Sequence, residues 1–109
     1  MPAASFTYGL KPGVTPGAYE AWIVDFDYPH VEQIPSILSQ RIYRIDEPIF
    51  GGAEPGYAYL EIIEFTNRDD YLNDLQNHPA AHAISAEMPN FVEMINNTFV
   101  GFIPPGVSR

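Results

Sequence analysis

An imidazole and a carboxylate are the groups in this chain best suited to moving a proton. The run Asn77-His78-Pro79-Ala80-Ala81-His82 sets two histidines around a helix start. Pro79 has no N–H and a φ already near the helical value, so it suits the first position of a helix. His78 is then the N-cap, and His82 lies about one turn inside with its ring on a definite face. A titratable ring held on a rigid element is what proton transfer requires. Glu61 stands among apolar and aromatic neighbours in Tyr59-Leu60-Glu61-Ile62-Ile63-Glu64, where a carboxylate is expensive unless paired or protonated. Burial raises its pKa, and a nearby imidazolium lowers it again. Facing one cavity, His82 and Glu61 form a general acid/base pair of the kind that supplies about 10²–10⁴-fold in rate. The plainer alternatives are a solvated His82 beside an acidic helix, and a Glu61 ion-paired to Arg41 or Arg44 on the adjacent strand.

Other side chains offer support. Asp27 closes the first helix, where negative charge opposes the helix dipole; this suggests pairing with an arginine or contact with substrate, against simple solvation. Tyr8 and Tyr59 combine a packing ring with a hydroxyl donor, which suits holding an aromatic substrate. Trp22 falls on an apolar helix stripe and is first a core residue. His78 serves mainly as a cap, with a substrate contact as its second use, and His30 follows Pro29 in an exposed connector. A zinc site is not expected: His78 and His82 are four apart, but Pro79 occupies the position of the catalytic Glu and takes His78 off the helical face.

Period-2 alternation gives a strand over 5–10, and Thr15 caps a helix with Tyr19, Trp22, Ile23 and Phe26 on one stripe until Pro29 disrupts it. Residues 31–36 read as a loosely helical connector. Strands follow at 37–45 and 56–65, joined by a Gly- and Pro-rich loop. Thr66 caps a helix that starts with Asp69 and Asp70 and carries Tyr71, Leu72 and Leu75 on its apolar face. A second helix runs from Pro79 to about Met88, residues 91–95 make one more helical turn, and a last strand spans 98–103. The order β-α-β-β-α-β is the ferredoxin-like, split βαβ arrangement of an α+β domain with a four-stranded antiparallel sheet. On the third strand Tyr57, Tyr59, Glu61, Ile63 and Phe65 share one side, a set too aromatic to face water. A second copy of the sheet is its expected cover, in a two-fold homodimer.

The 109 residues fit one domain, 1–109, with an ordered core of about 5–103. Five Lys plus Arg against fourteen Asp plus Glu give a net charge of -9. That sign disfavours nucleic acid and anionic membranes. No apolar run approaches the ~20 residues of a membrane span, and the N-terminus lacks the pattern of a signal peptide. The absence of cysteine removes thiol chemistry and suits a cytoplasmic location.

The strings Tyr19-Glu20-Ala21-Trp22, Asp27-Tyr28-Pro29, Arg41-Ile42-Tyr43-Arg44 and Tyr59-Leu60-Glu61-Ile62-Ile63-Glu64 resemble the dimeric α/β barrel superfamily, and within it the RedY-like proteins of prodiginine and bisindole pathways. The likeness spans about 5–103. A second likeness is to olivetolic acid cyclase and stress-responsive barrel proteins, which carry His-Pro-x-His at this helix start; here one residue is inserted, and Leu75 stands where their tyrosine would. The resemblance implies a cofactor-free, homodimeric enzyme of specialised metabolism, a cyclase or isomerase acting on a hydrophobic aromatic or polyketide-like molecule. The alternatives it leaves are a cofactor-independent monooxygenase of the same fold and a non-catalytic binding protein. It places the pocket between sheet and helices, with Tyr59, Glu61, Ile63, Phe6, Tyr8 and Trp22 lining it. On the second strand, the Arg41 and Tyr43 face and the Gln40, Ile42 and Arg44 face both remain open as its lining.

Overall fold

A computed structural model describes residues 2–109. Strands β1 (Ala3–Leu10), β2 (Ile37–Arg44), β3 (Tyr59–Phe65) and β4 (Val92–Val100) form one sheet in the order β2-β3-β1-β4, with every neighbouring pair antiparallel. The helices are α1 (Pro16–Trp22), α2 (Tyr28–Val31), α3 (Arg68–Asn77) and α4 (Pro79–Glu87). Together they realise the expected ferredoxin-like α+β order. No helix among the described residues is long and apolar enough to cross a membrane.

The ladder registers settle which side chains share a face. Phe6 pairs with Glu61, Tyr8 with Tyr59 and Ala4 with Ile63, while Gln40 pairs with Ile63, Ile42 with Glu61 and Arg44 with Tyr59. That face lies under the helices, and Tyr8, Tyr59, Ile63 and Phe65 on it are buried. The aromatic side of β3 is therefore covered by this chain's own helices and needs no second copy, contrary to the expectation from sequence. The opposite face carries Leu60 and Ile62, flanked by Thr7 and Ser5 on β1 and Tyr43 and Arg41 on β2.

Local signals explain most boundaries. The Thr15 hydroxyl accepts from the Ala18 N–H at 3.1 Å and starts α1. For α3 the cap is Asn67, not Thr66, its side chain accepting from the Asp70 N–H at 2.8 Å. Thr66 is held back because its own N–H bonds to the Ser36 carbonyl at 2.9 Å, which keeps it extended. His78 closes α3 and opens α4 in one extended residue, and its Nδ1 accepts from the Ala80 N–H at 3.1 Å.

Two departures matter for the site. Pro29 does not end the first helical run. Ahead of it the helix widens into a π-helical segment, Ile23–Asp27, whose Tyr28 N–H reaches the Ile23 carbonyl. A proline inside a helix crowds the preceding turn and leaves one carbonyl unbonded; a wider turn absorbs that strain and lets the helix continue. The second departure is β4, which occupies 92–100 where a helical turn and a later strand were expected. Its register slips between Thr7 and Tyr8, which pair with Asn96 and Met94 and leave Ile95 unpaired. The bulge breaks the alternation of apolar residues, so the segment does not read as a strand.

Candidate active site

Between sheet and helices lies a cavity of about 240 Å³, apolar over most of its wall. Phe6 and Ile63 form its floor; Trp22, Ile34, Ile84 and Met88 are among the side chains that roof it. Trp22 donates its indole N–H to Glu87 at 3.2 Å, tying α1 to α4 above the space. Into this surface three polar side chains converge from three elements. Gln40 of β2 donates through Nε2 to Asp27 Oδ2 at 2.8 Å and to Glu61 Oε2 at 2.7 Å. One amide nitrogen thus bridges two carboxylates, and both of its hydrogens are used.

The local folding explains the convergence. Glu61 follows from strand alternation, two residues from buried Tyr59 and two from buried Ile63. Gln40 reaches the same place because β2 pairs it with Ile63. Asp27 is 5 % exposed because the π-helical turn keeps it on the stripe of Tyr19 and Ile23. Burial drives the Glu61 pKa up to about 7, against the pull of the Gln40 bond, and the charge of Asp27 pushes the same way. Asp27 is also raised, again by burial first, with Gln40 and His30 opposing. Two carboxyls held this closely do not both ionise readily.

The other candidates fall in different places. Trp22 and Ile63 line the cavity with Asp27 and Glu61. Tyr8 and Tyr59 do not; they stack on each other beside the chamber at 5.7 Å. The hydroxyl of Tyr8 accepts from Tyr19 at 2.8 Å, and that of Tyr59 donates to Glu20 at 2.8 Å. The expectation for His82 is overturned: it is exposed on α4, outside the lining, with Nε2 against the Gln76 carbonyl. One residue more than His-Pro-x-His turns its ring off the inner face, where Ala81 and Ile84 stand instead. His78 caps its helix and also lies outside the lining, as does His30, stacked on Phe26 at 4.1 Å. The ion pair offered as an alternative for Glu61 is absent among the described residues: Arg44 grips Glu20 and Arg41 is exposed on the other face. No group of three or more His, Asp or Glu among the described residues could hold a metal ion.

Two residues of the site escaped the sequence reading. Gln40 belonged to one of two undecided faces, and only the β2–β3 register selects it. Tyr71 reads as an apolar helix position. It is buried and lines the cavity with its ring stacked on Phe65 at 4.4 Å. It stands one turn before Leu75, which lines the same wall; that i, i+4 relation was the available signal.

A four-stranded antiparallel sheet with helices on one face, enclosing an acid-bearing chamber, is a ferredoxin-like α+β domain. The chain belongs to the family of the REDY-like protein HapK, whose profile matches residues 3–101. Among solved structures it is similar to HapK from Hahella chejuensis, with a TM-score of 0.80 and 18% identity over 100% of this chain and 99% of that one. It also resembles SnoaB, a cofactor-independent oxygenase from Streptomyces nogalater (TM-score 0.68, 11% identity, 98% and 95% covered). A hydroxynitrile lyase from Passiflora edulis is a further likeness (TM-score 0.68, 16% identity, 95% and 97% covered). No curated protein matches the chain in sequence.

Proposed function

We propose that the chain is an enzyme that moves a proton on a small hydrophobic aromatic molecule, with Glu61 as the general base. The observation that carries this reading is the bridged pair, Glu61–Gln40–Asp27, at the wall of an otherwise apolar chamber. A carboxyl poised near pH 7 both accepts and returns a proton at neutral pH. Its apolar surroundings keep the exchange from water. In the step proposed, the Glu61 carboxylate takes a proton from an activated C–H of the ligand, the electron pair passes to the ligand's carbonyl as an enolate, and the acid returns the proton at another atom. Isomerisation follows when the proton returns at another atom of the enolate. Cyclisation follows when the enolate carbon attacks a second carbonyl of the same ligand, whose π bond breaks to an alkoxide that takes the proton from Glu61. Trp22 and Phe6 orient the rings by packing, and confinement supplies the entropic share of the rate.

The same carbanion could meet oxygen, and the likeness to a cofactor-independent oxygenase supports keeping that second reading. We further propose that the chain works as a homodimer through the face bearing Leu60 and Ile62, in the cytoplasm.

The test uses an aromatic β-diketone in deuterium oxide with the full-length protein. The wild type is expected to catalyse hydrogen–deuterium exchange at the activated carbon, read by proton NMR, and Glu61→Gln to lose about 10²–10⁴-fold of that rate. Equal exchange rates for the two proteins would refute the role of Glu61. Oxygen uptake in the same sample separates oxygenation from rearrangement.

A further inference from the structure

The chamber's polar groups are unequally matched. Asp27 and Glu61 share a single donor, Gln40, whose amide hydrogens are both committed. Each carboxyl keeps an oxygen with no partner among the described residues. The cavity lining contains no lysine, arginine or histidine. Nearby basic side chains are engaged elsewhere: Arg44 on Glu20, and the His30 ring on Phe26, whose carbonyl its Nδ1 meets at 2.6 Å.

A second observation is independent of the acids. Tyr71 is 2 % exposed and lines the cavity, yet its hydroxyl has no hydrogen-bond partner among the described residues. Among the described residues, the fully enclosed side-chain atoms without a partner are Thr7 Oγ1 and Ser36 Oγ. The Tyr71 hydroxyl is not one of them and so meets open space, where a ligand can accept from it. Burial, and after it the charge of Glu61, keep this phenol protonated, so it remains a donor. Beside the committed Gln40 amide, the Asp27–Glu61 wall therefore holds no positive group and no free N–H donor, while Tyr71 offers a donor with no acceptor bonded to it.

We propose that the chamber selects an aromatic ligand bearing a basic nitrogen, bound as the cation against Asp27 and Glu61, with an oxygen or π acceptor toward Tyr71. This rests on the chamber being the ligand site, as the proposed function requires, and adds the class of molecule. A cation there completes the unpaired carboxylate oxygens with charge-assisted hydrogen bonds while its rings lie on Trp22 and Phe6. An anion of the same shape meets two carboxyls and no compensating charge.

Three isosteric probes decide it by calorimetry at pH 8: 2-naphthylmethylamine, 2-naphthylmethanol and 2-naphthoate. The amine is expected to bind about 10- to 100-fold more tightly than the alcohol, the ratio that a charge-assisted hydrogen bond supplies, and the acid not to bind. Glu61→Gln and, separately, Asp27→Asn are expected to shrink the amine's advantage, each variant first shown to be folded by circular dichroism. Glu47→Gln, which removes an equal charge from the exposed loop, should leave it unchanged. The advantage should also survive 0.5 M salt, which screens diffuse attraction to the net charge of -9. An amine that binds no better than the alcohol, or an advantage that vanishes equally in Glu47→Gln, overturns the proposal; so does failure of all three probes to bind. If deuterium exchange still depends on Glu61 in those cases, the proton-transfer reading stands alone. If exchange is also independent of Glu61, both fall.

Discussion

Glu61 keeps its proton in the fold to a higher pH than it would in an unfolded chain, and this ties stability to the site. Its ordinary value of 4.5 becomes about 7, so between these the native state binds the extra proton. Stability is then fullest below about pH 4.5 and falls as pH rises through 7. Glu61→Gln removes the titration. The variant is expected to be more stable than the wild type at pH 8 by roughly 2–3 kcal/mol, with the gap closing at pH 4.5, measured by urea unfolding. Activity should run the other way, since the base acts when ionised: wild-type kcat/KM is expected to rise through about pH 7. Gln40→Leu tests the bridge. Losing the bond that lowers the Glu61 pKa should move that rising limb to higher pH, and two unsatisfied carboxyls should reduce stability by about 1–3 kcal/mol. A limb that stays in place would show that Gln40 does not tune the pair.

At the scale of elements, the positions that eluded sequence reasoning are those where one element's geometry depends on another. Glu61 was readable, because a charged residue between Tyr59 and Ile63 in an alternating strand announces an inward carboxylate. Asp27 stood out as an acid near a helix end, but its reason was different: the helix does not end there. Gln40 could not be chosen without the β2–β3 register, and β4 was hidden by a bulge that only its pairing with β1 creates. His82 misled because His-Pro at a helix start fixes where the helix begins, while one extra residue fixes where the ring points. The π-helical turn makes a prediction of its own. Pro29→Ala restores an N–H able to bond the Asp25 carbonyl and removes the ring that crowds it. The segment is expected to tighten to α-helix and carry Asp27 off the stripe. With that neighbouring charge withdrawn, the Glu61 pKa should fall, opposite to the effect of Gln40→Leu, without loss of thermal stability. Carbon-13 NMR titration of the Glu61 carboxyl reads the sign directly. An unchanged titration would mean that Pro29 is not what holds Asp27 inward.

For the whole molecule, the question is what covers the sheet face that the helices leave open. Its centre is apolar, Leu60 and Ile62, with Tyr43 half exposed beside Leu60. The rows around it are polar: Ser5, Thr7, Ser39, Arg41 and Glu64. An apolar centre with a polar surround is the anatomy of an interface, and a two-fold axis through it would set each patch on its own copy. Charge opposes this association. Each copy carries -9, so pairing must overcome repulsion that acts over about 10 Å at 0.1 M salt and less as salt rises. The proposed dimer should therefore tighten with ionic strength, unlike an interface held by ion pairs, which salt weakens. Ile62→Lys puts a like charge on both sides of the axis and is expected to yield a folded monomer, since Ile62 lies outside the helix-covered core. Light scattering after size exclusion, at 0.05 and 0.5 M salt, gives both answers. A wild type that stays monomeric at 0.5 M salt would refute the dimer, and an Ile62→Lys variant that remains a dimer would place the contact elsewhere, the exposed Ile49-Phe50 loop and Phe102-Ile103 tail being two other apolar surfaces.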